Sequence, residues 1–115
     1  MDEISTLGPT LIAALDGTEI VESSERLPLP VPAIGELKGG DAKTNAAIIA
    51  GILTGEITGA KRDIVLANAA AGFRVCGLAD SWESGIELAR RSLTDGRAKA
   101  VLESLRAFAQ SGGGL

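Results

Sequence analysis

Two short stretches of this chain hold residue types at spacings that could do chemistry. The first is Asp2-Glu3, a pair of adjacent carboxylates near the N-terminus. Carboxylate oxygens are hard donors of the kind Mg²⁺ takes. In extended backbone, neighbouring side chains point to opposite faces, so one acid can reach one ion while the next reaches another. On residue chemistry alone the pair reads first as a solvated tail, where acidic side chains are common. The second stretch is Lys38-Gly39-Gly40-Asp41, which leads into an apolar-periodic run. Amides that open a helix after glycines can hold an anion. Neither G-x-G-x-x-G nor G-x-x-x-x-G-K-[ST] occurs here, and Asp41 would repel a phosphate. Asp41 reads instead as the cap of the helix that follows, with the glycine pair giving the backbone freedom to turn.

Composition removes most other chemistries. The chain has no His, which excludes His-dependent triads, imidazole zinc sites and the usual near-neutral base. A single Cys excludes an internal disulfide and a Cys-rich metal centre. Cys76 lies in an apolar run and reads as a buried, inert thiol rather than a nucleophile. With 11 basic and 15 acidic residues the net charge is -4. Lys61-Arg62 and Arg90-Arg91 are short and have acids close by, so no nucleic-acid footprint is expected. No basic-then-apolar leader opens the sequence, and no apolar run approaches the ~20 residues of a membrane span. A cytoplasmic protein is the expectation. No catalytic residue and no residue binding an organic cofactor is assigned.

The elements that must position these groups fall into two parts. Gly8-Pro9 marks a turn. Leu11 to Leu15 and Thr18 to Glu22 read as strands, and Asp16-Gly17 between them is a hairpin signal. Pro28, Pro30 and Pro32 force an extended path. Leu27, Leu29, Val31 and Ile34 are expected to anchor that path onto a core, rather than forming a solvated polyproline ligand.

Helices are expected over Ala42 to Thr54, Ala60 to Cys76, a span after Asp80 ending at Asp95-Gly96, and Arg97 to Gln110. Glu83 is placed for a reciprocal cap of the third helix. The broad apolar set of the second helix predicts cover on most sides. Asn68 within it reads as a link to buried backbone, and the small residues from Ala69 to Gly72 permit close approach of another backbone. Val101, Leu102, Leu105 and Phe108 are expected to face inward. The fold class is thus α+β and mostly helical: an N-terminal β-hairpin or extended strands followed by a four-helix cluster. Residues 1–36 form the hairpin and proline-rich segment, 37–110 the helical portion and 111–115 a flexible tail, in one structural unit. The hydrophobic content is 45% but the aromatic content only 3%, so the core must come from Ala, Leu, Ile and Val, with little area buried per residue.

Several motifs in order carry a resemblance. Asp2-Glu3-Ile4-Ser5, Gly8-Pro9-Thr10, Leu37-Lys38-Gly39-Gly40-Asp41 and Asn45-Ala46-Ala47-Ile48 resemble the C-terminal part of the anthranilate phosphoribosyltransferase family. Arg62-Asp63-Ile64-Val65-Leu66-Ala67-Asn68-Ala69-Ala70-Ala71 is similar to that family's late helix, and Gly77-Leu78-Ala79-Asp80-Ser81, Glu83, Gly85 and Glu87-Leu88-Ala89-Arg90 continue the match.

The resemblance implies part of the catalytic-domain fold shared with nucleoside phosphorylases. It implies transfer of a phosphoribosyl group from phosphoribosyl pyrophosphate to anthranilate, with release of pyrophosphate, in tryptophan biosynthesis. It assigns Asp2 and Glu3 to Mg²⁺. The family's glycine-rich pyrophosphate loop, its Lys-His-Gly-Asn stretch, its anthranilate-binding residues and its helical dimerising domain have no counterpart in this sequence. The expectation is a truncated, split or excised piece, inactive alone, with Mg²⁺ bound weakly or not at all. Its expected partners are the missing N-terminal portion or further copies of itself. A non-catalytic helical scaffold or a self-associating module derived from the enzyme is the alternative.

Overall fold

The computed structural model describes residues 3–112, apart from the side chain of Asp16. Strand β1 (Thr10–Asp16) pairs antiparallel with β2 (Glu19–Glu25), from Thr10 opposite Glu25 to Asp16 opposite Glu19. The loop is Gly17-Thr18, one residue later than Asp16-Gly17. Gly17 sits at φ 61°, the positive φ that a two-residue hairpin loop needs at its first position.

The proline segment follows. Leu27 is buried and Leu29 packs against the core, but Val31 and Ile34 are 55% and 74% exposed. The expected anchoring therefore stops at Leu29. Beyond it the chain leaves the core and closes in a 3₁₀ turn over Ile34–Leu37, where the Glu36 carboxylate accepts from the Ala33 N–H at 2.8 Å. Lys61 Nζ donates to the carbonyls of Glu36 and Lys38, fastening this turn to the second helix.

Four α-helices follow among the described residues: α1 (Ala42–Thr54), α2 (Ala60–Val75), α3 (Trp82–Thr94) and α4 (Arg97–Gln110). Asp41 caps α1, its carboxylate accepting from Thr44 N–H at 2.8 Å. Gly39 and Gly40 are not in the left-handed region. They are small because the first turn of α1 crowds them. A Cβ on Gly39 would lie 2.5 Å from Asn45 Oδ1, and one on Gly40 would lie 2.9 Å from Thr44 Cγ2. Asn45 bonds both the N–H and the C=O of Gly40. Helix α3 starts one residue later than Asp80 implies. Ser81 is its cap and Ser84 the reciprocal partner, so Glu83 is not in the box.

The core lies between α2 and α3. Leu66, Ala67 and Ala70 meet Trp82, Ile86 and Ala89, with Leu27 laid across them. Gly85 passes so close to α2 that a Cβ there would sit 2.9 Å from Ala70 Cβ and 3.1 Å from Ala70 Cα. The run of small residues in α2 thus admits a neighbouring helix. Trp82 Nε1 donates to Glu25 Oε2 at 3.2 Å, and the Arg74 guanidinium stacks 4.5 Å from the ring centroid. This ties the hairpin to α3.

Three expectations of burial fail. Helix α2 is open on one side, with Val65 and Val75 exposed. Cys76 is exposed because it ends α2 as its cap residue. In α4, Val101, Leu105 and Phe108 are exposed and only Leu102 is half-buried. Helix α4 packs chiefly against α1 and α3, and the 101, 105, 108 stripe lies about a quarter turn from Leu102.

Candidate functional site

The N-terminal segment reaches the helices through one amide. Ile4 N–H donates to Asn68 Oδ1 at 2.9 Å, and Asn68 Nδ2 donates to the carbonyls of Ile4 at 3.0 Å and Ile64 at 2.9 Å. A carboxamide can satisfy a peptide's N–H and C=O together, which makes it a clasp for an incoming strand. Residue Glu3, the neighbour of Ile4, is thereby held near the middle of α2, with an exposed carboxylate. Asp2 lies outside the described residues.

After Ile4 the chain turns sharply. Thr10 Oγ1 accepts from Ser5 N–H at 3.3 Å, and Ser5 Oγ accepts from Leu7 N–H at 3.0 Å. The Thr6 side chain points inward. The residue is 6% exposed and its hydroxyl has no partner among the described residues. A cavity of about 10 Å³ beside it is lined by Ser5, Thr6, Gly8, Arg26 and Leu27 among others. That is close to the smallest volume that holds one water.

The described residues contain no group of three or more His, Cys, Asp or Glu side chains able to enclose a metal ion. Glu3 offers one hard carboxylate. Mg²⁺ is commonly held by one or two carboxylates with substrate phosphates and water completing the octahedron. The donor type therefore fits a shared Mg²⁺ site and not an all-protein cage.

The glycine turn at residues 39–40 does not form an anion cradle. Asp41 takes the Thr44 amide, and the Asn45 side chain occupies the N–H of Gly40. Bonding to Thr44, through its side chain first and its backbone second, holds the Asp41 carboxyl below its ordinary value.

A second polar concavity was not visible in the sequence. A cleft of about 310 Å³ brings Arg62 and Arg90 together with Thr54, Thr58 and Thr94. The two arginines stand in different helices and share no periodic signal. Among the described residues, no helix is long and apolar enough to cross a membrane.

Comparison with known proteins follows the same stretch of chain. The family described as glycosyl transferase family, a/b domain, matches residues 1–99. The chain is 46% identical over 109 residues to the anthranilate phosphoribosyltransferase of Haloferax volcanii, covering 92% of this chain and 33% of that protein. It is 45% identical over 106 residues to that of Rubrobacter xylanophilus, covering 90% and 31%. It is 44% identical over 108 residues to that of Parvibaculum lavamentivorans, covering 91% and 31%. The chain spans about a third of the length of these curated relatives.

Proposed function

The chain belongs to the glycosyl transferase family through its a/b domain, and from that premise we propose that it supplies the metal-binding and late-helix portion of an anthranilate phosphoribosyltransferase. The proposed reaction forms a C–N bond between the anthranilate amine and the ribosyl C1 of phosphoribosyl pyrophosphate. The C–O bond to pyrophosphate breaks. The chain alone is inactive in this reading, because such chemistry depends on substrates being positioned by groups prearranged around them.

The observation that carries the reading is the kinship itself, which runs from the N-terminal acids to α4. The Asn68 clasp supports the site assignment, since it fixes the backbone next to Glu3 on a helix that builds the core. In this reading Asp2 and Glu3 hold Mg²⁺, and Asn68 is a positioning residue. When bound there, Mg²⁺ supplies neutralising charge for a leaving pyrophosphate.

The test mixes this chain with a separately produced piece of a relative that carries the remaining length. Anthranilate-dependent pyrophosphate release is then assayed. Activity is expected in the mixture and in neither piece alone, and Asp2→Asn or Glu3→Gln should abolish it while both pieces stay folded. A mixture of folded, associated pieces with no turnover would sink the proposal.

A second reading, a self-associating scaffold without catalysis, draws on the exposed apolar residues of the hairpin and α4, among them Leu11, Leu15, Ile20, Leu105 and Phe108. A magnesium titration followed by NMR separates the two readings. A saturable response confined to Glu3 and its neighbours argues against a purely structural role.

A further inference from the structure

The cleft of about 310 Å³ lies where three helices meet. Ile52 and Thr54 come from the last turns of α1. Thr58 and Arg62 come from the entry to α2, and Arg90 and Leu93 from the last turns of α3. Its volume is at the lower end of small-ligand pockets, about 300–1,000 Å³. No carboxylate lines it.

The arginines are not used up by the protein. Arg62 spends Nε and Nη2 on one oxygen of Asp63, at 3.1 and 2.8 Å, which leaves Nη1 and its two N–H groups. Arg90 is exposed and makes no ion pair among the described residues. Both could be supposed to neutralise the carbonyl ends of α1 and α3. Several of those carbonyls are closed by the chain itself. Gly55 and Ile57 N–H donate to Ile52 and Gly51, Asp95 and Gly96 N–H donate to Arg91 and Leu93, and Thr94 Oγ1 donates to the carbonyl of Arg90. The cap of α2 is Gly59, which has no side chain to cover the first-turn amides. The Asp63 carboxylate of that turn and the carbonyl ends of α1 and α3 offset the roughly half positive charge of a helix N-terminus, so the positive charge of the cleft rests on the two arginines.

We propose that this cleft binds the oxyanion of a small ligand, a phosphate ester or a carboxylate, through Arg90 and the free Nη1 of Arg62. The Thr58 hydroxyl is a third donor, and Ile52 and Leu93 offer an apolar wall to the body of the ligand. Guanidinium forks match both kinds of oxyanion, and charge-assisted bonds are the stronger class of hydrogen bond. The site is separate from the Glu3 region, because Asn68 lies about 9 Å of helix rise beyond Arg62.

The test titrates the ¹⁵N-labelled chain with inorganic phosphate, and in a second arm with malonate, at ionic strength held constant with sodium chloride. Saturable shifts are expected at Thr58, Arg62, Arg90 and Thr94. Tighter binding of phosphate assigns the ligand as a phosphate ester, and tighter binding of malonate as a carboxylate. Arg90→Gln should weaken binding at least about tenfold with the rest of the spectrum unchanged, since Arg90 is exposed. Thr58→Val should weaken it less. The Asp2→Asn, Glu3→Gln double variant should leave it intact, so that failure here and failure of the transferase reading are distinct. Shifts that do not saturate, or an affinity unchanged by Arg90→Gln, would overturn the proposal.

Discussion

Asn68 commits its whole amide to backbone, and two of its three bonds close on a residue 64 positions earlier. Replacing it with Ala leaves the Ile4 N–H and C=O half-buried without partners. At roughly 0.5–1.5 kcal/mol net per bond, Asn68→Ala should cost about 2 kcal/mol. The check is a lower urea midpoint together with faster hydrogen exchange at the Ile4 amide. Unchanged protection at Ile4 would show that the clasp does not operate. In the proposed complemented enzyme the same change should raise the magnesium concentration needed for activity, because the acids proposed to hold the ion lose their anchor. Thr6 is the opposite case, a buried hydroxyl with no partner among the described residues. Thr6→Val keeps the shape and removes the orphan, so stability should be unchanged or rise by up to about 1 kcal/mol. A loss of that size in urea unfolding would instead mean that the hydroxyl is bonded to a water in the adjacent cavity. The sequence marks Asn68 as a polar residue in an apolar helix, which predicts a backbone link. It does not say which backbone, because the partner is set by tertiary packing and not by local pattern.

At the scale of elements, one close joint between helices is Gly85 against Ala70. In an exposed helix Gly→Ala gains about 1 kcal/mol of propensity. Here the added methyl would meet Ala70 Cβ at 2.9 Å and backbone at 3.1 Å. Overpacking of this kind costs about 1–3 kcal/mol, so Gly85→Ala should be neutral to destabilising by up to about 2 kcal/mol in chemical denaturation. A clear gain would mean that α2 and α3 can separate freely. The cap of α1 responds to pH. The folded-state value of Asp41 is lowered, so its contribution is present above the ordinary carboxylate value. It is lost as pH falls through the lowered one. Protection of the Thr44 amide, taken as its exchange rate relative to the intrinsic rate at each pH, should therefore fall in acid, and Asp41→Asn should flatten that dependence. Helix positions were legible because glycines, capping residues and apolar spacing agree along the chain. Helix faces were less legible. Periodicity gives an apolar stripe at Val101, Leu105 and Phe108 but not what covers it, and the cap of α3 went to Ser81, which bonds reciprocally with Ser84. The Arg62–Arg90 cleft gave no signal, since three separate helix ends build it.

The whole molecule is more open than a self-sufficient domain of its length. Its radius of gyration is 15.8 Å, against about 13 Å expected for a compact chain of this size. Its accessible surface is 7788 Å², against about 5,900 Å² for a folded monomer of this mass. The excess includes apolar ground on one face of the hairpin, where Leu11, Leu15 and Ile20 are each about 70% exposed, and on the outer stripe of α4. A lone two-stranded hairpin is marginal in water, and its unpaired edges invite another strand. Apolar surface of this kind favours association, whether with a complementary piece or with further copies. Sedimentation velocity should give a weight-average mass that rises above 11.7 kDa with concentration. Leu105→Glu with Phe108→Glu should shift that mass toward the monomer. Both residues are 61% exposed, so the pair should lower the unfolding midpoint little while removing contacts between molecules. A constant monomer mass across the whole concentration range would show that the open faces are tolerated by water. The association reading would then fall, leaving the complementation assay to decide what the chain does.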